Sequence, residues 1–163
     1  KRLIEKNIKE LNGKPLFHHS IDYASKSKHK NYIIVSTESE KVKSLVPNGV
    51  NIHHRDNALC GDVEVVDVYL EIIKSIKKQY DYVICLQPDT PNRSNTLDNC
   101  LDYMIENNYD DLITVNNDYK RSGSIRIFKY EFLKNGFVSK RMGCIKDDAT
   151  DIHFIEDLNK LRS

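Results

Sequence analysis

Apolar residues recur along the chain in two alternating patterns, short continuous runs and longer segments with helical spacing. The runs at residues 32–36 and 82–86 are rich in β-branched and aromatic residues and end at polar turns, which predicts strands. Between them, residues 63–79 carry apolar side chains every three or four positions, which predicts a helix with one buried face. This alternation predicts an α/β domain whose mostly parallel sheet is covered by helices on both faces.

The remaining elements follow from the same patterns and from turn residues such as the Asn12-Gly13 pair. The predicted helices span residues 15–26, 40–46, 63–79, 95–107, 130–134 and 155–161. The predicted strands span residues 32–36, 50–54 (a short edge strand), 82–86, 111–115, 124–128 and 143–145.

The stretch at residues 82–93 organises the rest of the chain. Its apolar first half predicts a central strand, and two prolines then turn the backbone out of the sheet, because proline cannot continue a central ladder. Gln87, Asp89, Thr90 and Arg93 follow at the carboxyl end of that strand, where ligands bind in open α/β sheets. We interpret this loop as the floor of a site; an ordinary strand-to-helix connection is the alternative.

Composition narrows the class of protein. The chain has 163 residues, 39% hydrophobic and 30% charged, which fits one globular domain with its own core. Its formal net charge of +1 creates no basic field, so neither nucleic-acid nor membrane binding is expected. The sequence shows no apolar run long enough to span a bilayer and no secretory leader.

The four cysteines, Cys60, Cys85, Cys100 and Cys144, are widely spaced and form no Cys-x-x-Cys pair. Cys85 lies in an apolar run and Cys100 in a helical pattern. We therefore expect small core residues in a reduced, cytoplasmic compartment rather than a zinc site or a disulfide framework.

Several short segments carry, in order, the pattern of one enzyme family. Leu-Gln-Pro-Asp-Thr-Pro-Asn-Arg at 86–93 is similar to a Leu-Gln-Pro-Thr-Ser-Pro-Leu-Arg motif. On these residues the chain resembles the acylneuraminate cytidylyltransferases, the group of CMP-sialic acid and CMP-Kdo synthetases. The other matching segments are Lys-Arg-Leu-Ile-Glu-Lys-Asn at 1–7, Leu-Asn-Gly-Lys-Pro-Leu at 11–16, Ile-Ile-Val-Ser-Thr-Glu-Ser at 33–39, Arg55 with 59–62, and Asp-Ile-His at 151–153 with 156–158.

The resemblance implies a Rossmann-like three-layer nucleotidyltransferase fold in a single domain spanning residues 1–163. It also implies a reaction in which the anomeric hydroxyl of a sialic-acid-like or Kdo-like keto-acid sugar attacks the α-phosphate of CTP and pyrophosphate leaves. Such chemistry requires positioning and charge neutralisation more than covalent work by the protein. The implied partners are therefore CTP and the sugar, and the implied cofactor is Mg²⁺ or Mn²⁺.

The resemblance assigns nucleotide contacts to Lys6, Asn7, Arg55 and Asp62. Lys6 would bring positive charge to the triphosphate, while amide and guanidinium groups could read the cytosine edge. On the residues alone, Lys6 could be a solvated lysine, Arg55 part of a surface ion pair with Asp56, and Asp62 the cap of the helix that follows it.

The same resemblance places Gln87, Thr90 and Arg93 against the sugar acid, where a guanidinium suits a carboxylate. It assigns metal binding to Asp151 and His153, although Asp151 could instead only cap a turn. The residues expected to act in catalysis are Lys6, Arg93 and Asp151.

Four departures from the family pattern qualify this assignment. The family's opening strand and its Pro-Ala-Arg-x-x-Ser do not precede Lys1, so either they belong to a longer natural chain or the chain is not a competent synthetase.

Hydroxyl residues are missing from 62–66, and His153 replaces an acid. Imidazole suits manganese or zinc better than magnesium, and Asp147 or Asp148 could compensate. The short connection after residue 115 lacks the family's dimerisation arm, which predicts a monomer or a dimer built differently.

Three functions are consistent with these observations. The first is an active cytidylyltransferase for a keto-acid sugar. The second is a catalytically degenerate nucleotide-binding or scaffold module. The third is a sugar nucleotidyltransferase that uses another base.

Overall fold

The computed structural model describes residues 4–61, 64–136 and 139–162, and within them helices and strands alternate along the chain. The strands are β1 (Glu10–Leu11), β2 (Lys14–Pro15), β3 (Ile34–Thr37), β4 (Asn51–His54), β5 (Tyr82–Leu86), β6 (Asp111–Val115), β7 (Arg121–Lys129) and β8 (Met142–Lys146). The helices are α1 (Leu16–Ser25), α2 (Glu40–Ser44), α3 (Val65–Ser75), α4 (Leu97–Glu106), α5 (Tyr130–Lys134) and α6 (Ile155–Lys160), with 3-10 turns at Lys6–Ile8 and Asn57–Leu59.

Every helix predicted from the sequence is present, and the differences lie at the helix ends. Helix α4 begins at Leu97 because the Thr96 hydroxyl accepts a hydrogen bond from the Asn99 amide and caps the first turn. Helix α3 ends at Ser75, four residues earlier than predicted, because Ile76 adopts an extended backbone with ψ of 121°. These shifts reflect local capping and backbone choices that periodicity does not resolve.

The strands form three separate ladders. Strands β1 and β2 make a small antiparallel hairpin at the predicted turn, and β3 pairs with β4 in parallel. The largest sheet has the order β5-β7-β6-β8, in which β7 runs antiparallel to both of its neighbours and β6 runs parallel to β8.

The expectation of a mostly parallel sheet is therefore wrong in its detail, and the cause is the connection between β6 and β7. The Asn116 side chain accepts hydrogen bonds from the amides of Asp118 and Lys120, and the Asn116 amide donates to the Lys120 carbonyl at 2.8 Å. So short a turn can join only antiparallel neighbours, whereas a parallel pair needs a long crossover.

Helices cover both faces of the large sheet, as the sequence predicted. Along β5, Tyr82, Ile84 and Leu86 pack toward α4, while Val83 and Cys85 pack toward α3 and α5. This alternation gives two apolar layers. The first layer is built on Leu97, Cys100, Leu101, Met104, Leu112, Ile125 and Ile127, and the second on Ile73, Cys85, Phe128, Tyr130 and Leu133.

A third, smaller apolar cluster ties the two ends of the described chain together. Leu11 and Leu16 pack against Ile152 and Leu158, all of them buried. This packing brings the N-terminal 3-10 turn beside the loop that precedes α6. Among the residues described, no helix has both the length and the apolar character needed to cross a bilayer.

We predict that Gly143→Ala destabilises the protein by about 1–3 kcal/mol, because the site has no room for a methyl group. A Cβ at residue 143 would lie 2.8 Å from Leu112 Cδ1 and closer still to the Tyr109 ring. Chemical denaturation measures the effect, and Cys144→Ala, at an exposed position on the same strand, serves as control. Equal stability of the two variants would contradict this account of the packing.

Candidate functional site

Three distant segments converge where β5 ends. The Lys6 ammonium forms an ion pair with the Asp89 carboxylate and donates a hydrogen bond to the Ile152 carbonyl at 3.1 Å. The Ile152 amide in turn donates to the Asp89 carbonyl at 3.0 Å. The Lys6 and Asp89 side chains keep only 18% and 13% of their surface exposed. Lys6 is therefore held in a partly buried site rather than solvated.

Asp151 lies beside this ion pair. Burial and the neighbouring Asp89 carboxylate raise the pKa of Asp151 above its usual range, against the opposing effects of His153 and Lys6. His153 Nε2 lies 2.8 Å from Asp151 Oδ2, and about half of each side chain remains exposed. The structure thus brings together two carboxylates, one ammonium and one imidazole at the edge of the sheet.

This group has the donor chemistry for a hard divalent cation, since carboxylate oxygens are the preferred ligands of Mg²⁺ and Mn²⁺. The expected ligands Asp151 and His153 are adjacent, and Asp89 supplies a second carboxylate that the sequence analysis left without a role. The sequence did contain a signal for this role, because Asp89 is the only acidic residue in the loop between β5 and α4. In the described part of the chain, no three acidic, histidine or cysteine side chains are arranged as a complete metal site.

Asp147 and Asp148, the two possible substitute metal ligands, differ in whether a metal could reach them. Asp147 is fully buried, and its Oδ1 accepts hydrogen bonds from the Ser94 and Asn95 amides at 2.8 and 3.0 Å. Its Oδ2 accepts from the Ser124 hydroxyl at 2.5 Å. Asp147 therefore fixes the loop before α4 and cannot ligate a metal, whereas Asp148 is exposed.

Arg93 lies behind the loop and is held by protein oxygens. Its guanidinium donates to the Gln87 carbonyl at 2.6 Å, to the Ser124 carbonyl at 3.1 and 3.2 Å, and to the Ser20 hydroxyl at 3.1 Å. The same group lies 5.0 Å from the centre of the Tyr23 ring, and burial lowers the pKa of Arg93 to about 10. A contact between Arg93 and a sugar stays a prediction, because these donors are engaged within the protein.

Gln87 and Thr90 differ in whether their side chains are free to contact a ligand. Thr90 is buried, and its hydroxyl donates to the Gln87 carbonyl at 3.1 Å. That carbonyl also accepts from Ser20 and Arg93, so the backbone at Gln87 is firmly fixed. The Gln87 side-chain amide makes no hydrogen bond to the described residues, which leaves it available to a ligand.

Arg55 directly follows β4, whose carboxyl end lies beside that of β3. Its amide donates to the Thr37 carbonyl, and its guanidinium pairs with Glu38, not with the adjacent Asp56. This hydrogen bond lowers the pKa of Glu38. Asn7 follows Lys6 in the 3-10 turn, and its Oδ1 is buried without a hydrogen-bond partner among the described residues. The predicted contact Asp62 lies outside the described residues.

A family model described as "Cytidylyltransferase" matches residues 1–134 of the chain. A comparison with curated protein sequences finds no match. The chain therefore matches a family pattern over most of its length.

Solved structures share the fold of this chain over nearly all of it. A CMP:2-keto-3-deoxy-manno-octonic acid synthetase complexed with CTP has 14% identity and a TM-score of 0.75, covering 99% of this chain and 92% of that one. A 4-diphosphocytidyl-2C-methyl-D-erythritol synthase from Anaerococcus prevotii has 12% identity and a TM-score of 0.65, covering 94% and 86%. Rv0371c of Mycobacterium tuberculosis in complex with manganese has 11% identity and a TM-score of 0.66, covering 96% and 91%. These similarities confirm the fold class expected from the sequence.

We predict that Arg93→Lys lowers the free energy of unfolding by about 2–4 kcal/mol, because an ammonium cannot reach three oxygens that a planar guanidinium reaches together. Gln87→Ala should leave stability within about 0.5 kcal/mol of the parent, since its amide is unbound. Arg121→Lys, at an exposed arginine, is the control for the Arg93 substitution. Urea denaturation followed by circular dichroism measures the stability of all three variants. An unchanged unfolding midpoint of Arg93→Lys would refute a stabilising role for the Arg93 hydrogen bonds.

We predict that Asp151→Asn stabilises the protein near pH 7. The pKa of Asp151 is raised in the folded state, so its protonated form is favoured there and the ionised form costs stability as pH rises through that pKa. A permanently neutral side chain removes this cost, and the gain should disappear below the pKa of an unfolded aspartate. Thermal unfolding at several pH values measures it, with the exposed Asp148→Asn as control. A loss of stability at pH 7 would instead support a turn-capping role.

Proposed function

Because the chain belongs to the cytidylyltransferase family and is therefore a nucleotidyltransferase, we propose that it transfers CMP from CTP to a keto-acid sugar resembling sialic acid or Kdo. The acceptor atom is the anomeric hydroxyl, and pyrophosphate is released. The observation that carries the proposal is the convergence of Lys6, Asp89 and Asp151 at the carboxyl end of β5. The fold shared with a synthetase of this type in complex with CTP supports it.

Lys6 supplies positive charge for the triphosphate in this proposal. Its ammonium is held by Asp89 and the Ile152 carbonyl, which fixes its position before a nucleotide arrives. A preorganised cation stabilises charge that develops on phosphoryl oxygens without reorganisation during the reaction. Arg55, directly after β4, and Asn7, in the N-terminal 3-10 turn, are proposed to contact the nucleotide as well.

Asp89 and Asp151 are the residues proposed to hold the divalent cation. When bound, Mg²⁺ or Mn²⁺ supplies charge neutralisation and orientation for the transferring phosphoryl group. Burial and the neighbouring Asp89 carboxylate raise the pKa of Asp151, and a divalent cation held by these two residues would offset that unfavourable charge. The imidazole of His153 beside Asp151 suits manganese, the ion in one structure of the same fold.

The sugar acid is proposed to lie against the loop after β5. Gln87 offers a free amide there, which can donate to a hydroxyl or carboxylate and accept from a hydroxyl. Arg93 and Thr90 fix the Gln87 carbonyl, so they would act on the sugar by positioning that loop.

One observation favours a second function, nucleotide binding without turnover. Lys6 is neutralised by Asp89 in the ion pair, and a histidine follows at 153 where the resembling family has an acid. If the ion pair persists when nucleotide is present, neither the ammonium nor the carboxylate can serve the triphosphate. Titration calorimetry distinguishes the two functions: CTP binding without product supports the module, and binding with product supports the enzyme.

We predict that the protein releases pyrophosphate from CTP when given a keto-acid sugar and Mn²⁺ or Mg²⁺. Asp89→Asn and Asp151→Asn should each lower kcat by about 100-fold or more, because each removes a proposed metal-binding charge. Glu106→Gln should leave turnover unchanged, since that side chain is exposed at the end of α4.

Coupled enzymatic detection of pyrophosphate measures this rate, and competition with UTP and GTP tests the choice of base. Absence of release with every keto-acid sugar tried would reject the synthetase. Full activity of both aspartate variants would reject the proposed metal site while leaving the reaction standing.

A further inference from the structure

A groove of about 550 Å³ lies at the amino end of β5, the end opposite to the candidate site. It is lined by the last turns of α3, by the segment that joins α3 to β5, and by α5. The Tyr130 amide donates to the Asp81 carbonyl at 2.9 Å, and the Gln79 side chain donates to the Glu131 carboxylate at 2.7 Å. These bonds fix the connecting segment to α5, so the groove exists before any ligand binds.

Four lysines surround this groove, and among the described residues that line it there is no acid. They are Lys74, Lys77, Lys78 and Lys134, and all four are exposed. None of them forms an ion pair with a carboxylate of the described residues, whereas six other described lysines do. Like charges gathered without counter-charges repel one another and attract a multivalent anion.

Stabilisation of helix ends accounts for only part of this cluster. Lys74 and Lys134 lie in the last turns of α3 and α5, where a cation interacts favourably with the helix dipole. Lys77 and Lys78 lie beyond the end of α3 and have no such role. The Lys78 ammonium lies 5.8 Å from the centre of the Tyr80 ring, a contact that leaves its charge uncompensated. Two of the four charges are therefore unexplained by the fold.

The second observation is the hydroxyl of Tyr130, a residue that lines the groove and keeps only 6% of its surface exposed. This hydroxyl makes no hydrogen bond to a described residue. The side-chain atoms that are fully enclosed without a partner belong to Asn7 and Glu71, so the Tyr130 hydroxyl is not shut off from solvent. Because the rest of the side chain is buried, we infer that the hydroxyl reaches solvent through the groove.

We propose that this groove binds a free small molecule that carries several phosphate groups on an apolar or aromatic body. Ammonium groups are point charges suited to phosphate, and the Tyr130 hydroxyl can donate to a phosphate oxygen. Leu70, Ile73 and Ile76 also line the groove and offer an apolar surface to the body of the ligand. A volume of about 550 Å³ lies within the range of small-molecule sites.

The charge of the whole chain favours a small ligand over a polymer. A formal net charge of +1 supplies no basic field beyond the four lysines, and nucleic-acid binding requires many phosphate contacts. The inference does not depend on the proposed reaction. Strand β5 has five residues and spans about 16 Å, so a ligand in the groove and a nucleotide beside Lys6 would not compete.

The first test titrates the protein with ATP and follows the amide NMR signals of Gln79 and Tyr80. A variant with Lys77→Gln, Lys78→Gln and Lys134→Gln should weaken the binding seen at these signals about tenfold, because three modest charge pairs are lost. A matched variant removes three exposed lysines outside the groove, with Lys26→Gln, Lys120→Gln and Lys140→Gln, and should leave this binding unchanged.

The second test is Tyr130→Phe, which removes only the hydroxyl. It should weaken ATP binding at the Gln79 and Tyr80 signals about threefold and leave the unfolding midpoint unchanged, because the hydroxyl has no partner in the described residues. Tyr119→Phe, at a tyrosine that is 72% exposed in the turn between β6 and β7, should change neither quantity. Unchanged affinity of Tyr130→Phe would overturn the assignment of the site.

Inorganic tripolyphosphate has the charge of such a ligand without its body, so it should bind at least about threefold more weakly than ATP. Equal losses in the two triple-lysine variants, or shifts confined to residues around Lys6 and Asp89, would overturn the proposal. Binding to vesicles of anionic phospholipid without any shift by ATP would also overturn it, because the phosphate would then belong to a membrane. None of these measurements depends on turnover, so their failure is distinct from failure of the proposed reaction.

Discussion

The Gln87 carbonyl is the point on which the geometry of the site depends. It accepts hydrogen bonds from Ser20, Thr90 and Arg93, which come from a helix on one face of the sheet and from its own loop. Arg93 also binds the Ser124 carbonyl, so the guanidinium joins the loop after β5 to β7. A planar cation with several fixed donors is suited to holding carbonyls at set angles. The loop is thereby rigid before any ligand is bound.

The charges beside this loop are arranged at a cost in stability. Burial and the nearby Asp89 carboxylate raise the pKa of Asp151, and the Lys6 ammonium and the His153 imidazole offset this only in part. Ionisable groups whose surroundings disfavour their charge are common at functional sites. The raised pKa of Asp151 therefore underlies both the predicted gain in stability of Asp151→Asn and the proposal that these carboxylates hold a cation.

Hydrophobic periodicity and turn residues together located the α-helices and the longer strands of the described residues, because a buried face imposes a 3.6- or two-residue repeat whatever surrounds it. It misjudged the direction of pairing at β7. The information was present in the short turn at Asn116, whose side chain closes the connection, but repeat patterns do not encode strand direction. The division of the sheet between β3 and β5 was likewise invisible, since each strand has the same apolar pattern whether or not its edge is paired.

For the site, the sequence determined which chemical groups occupy the N-terminal turn and the loops that follow strands: Lys6, Arg55, Gln87 and the acids near residue 151. It did not determine how they are used. Tertiary contacts decide that the Arg93 guanidinium binds protein carbonyls and that the buried Asp147 carboxylate holds the loop before α4. They also decide that Asp89 forms an ion pair with Lys6. The reason is physical: a side chain's type is local, but its burial, its partner and its pKa are set by residues far away in the chain.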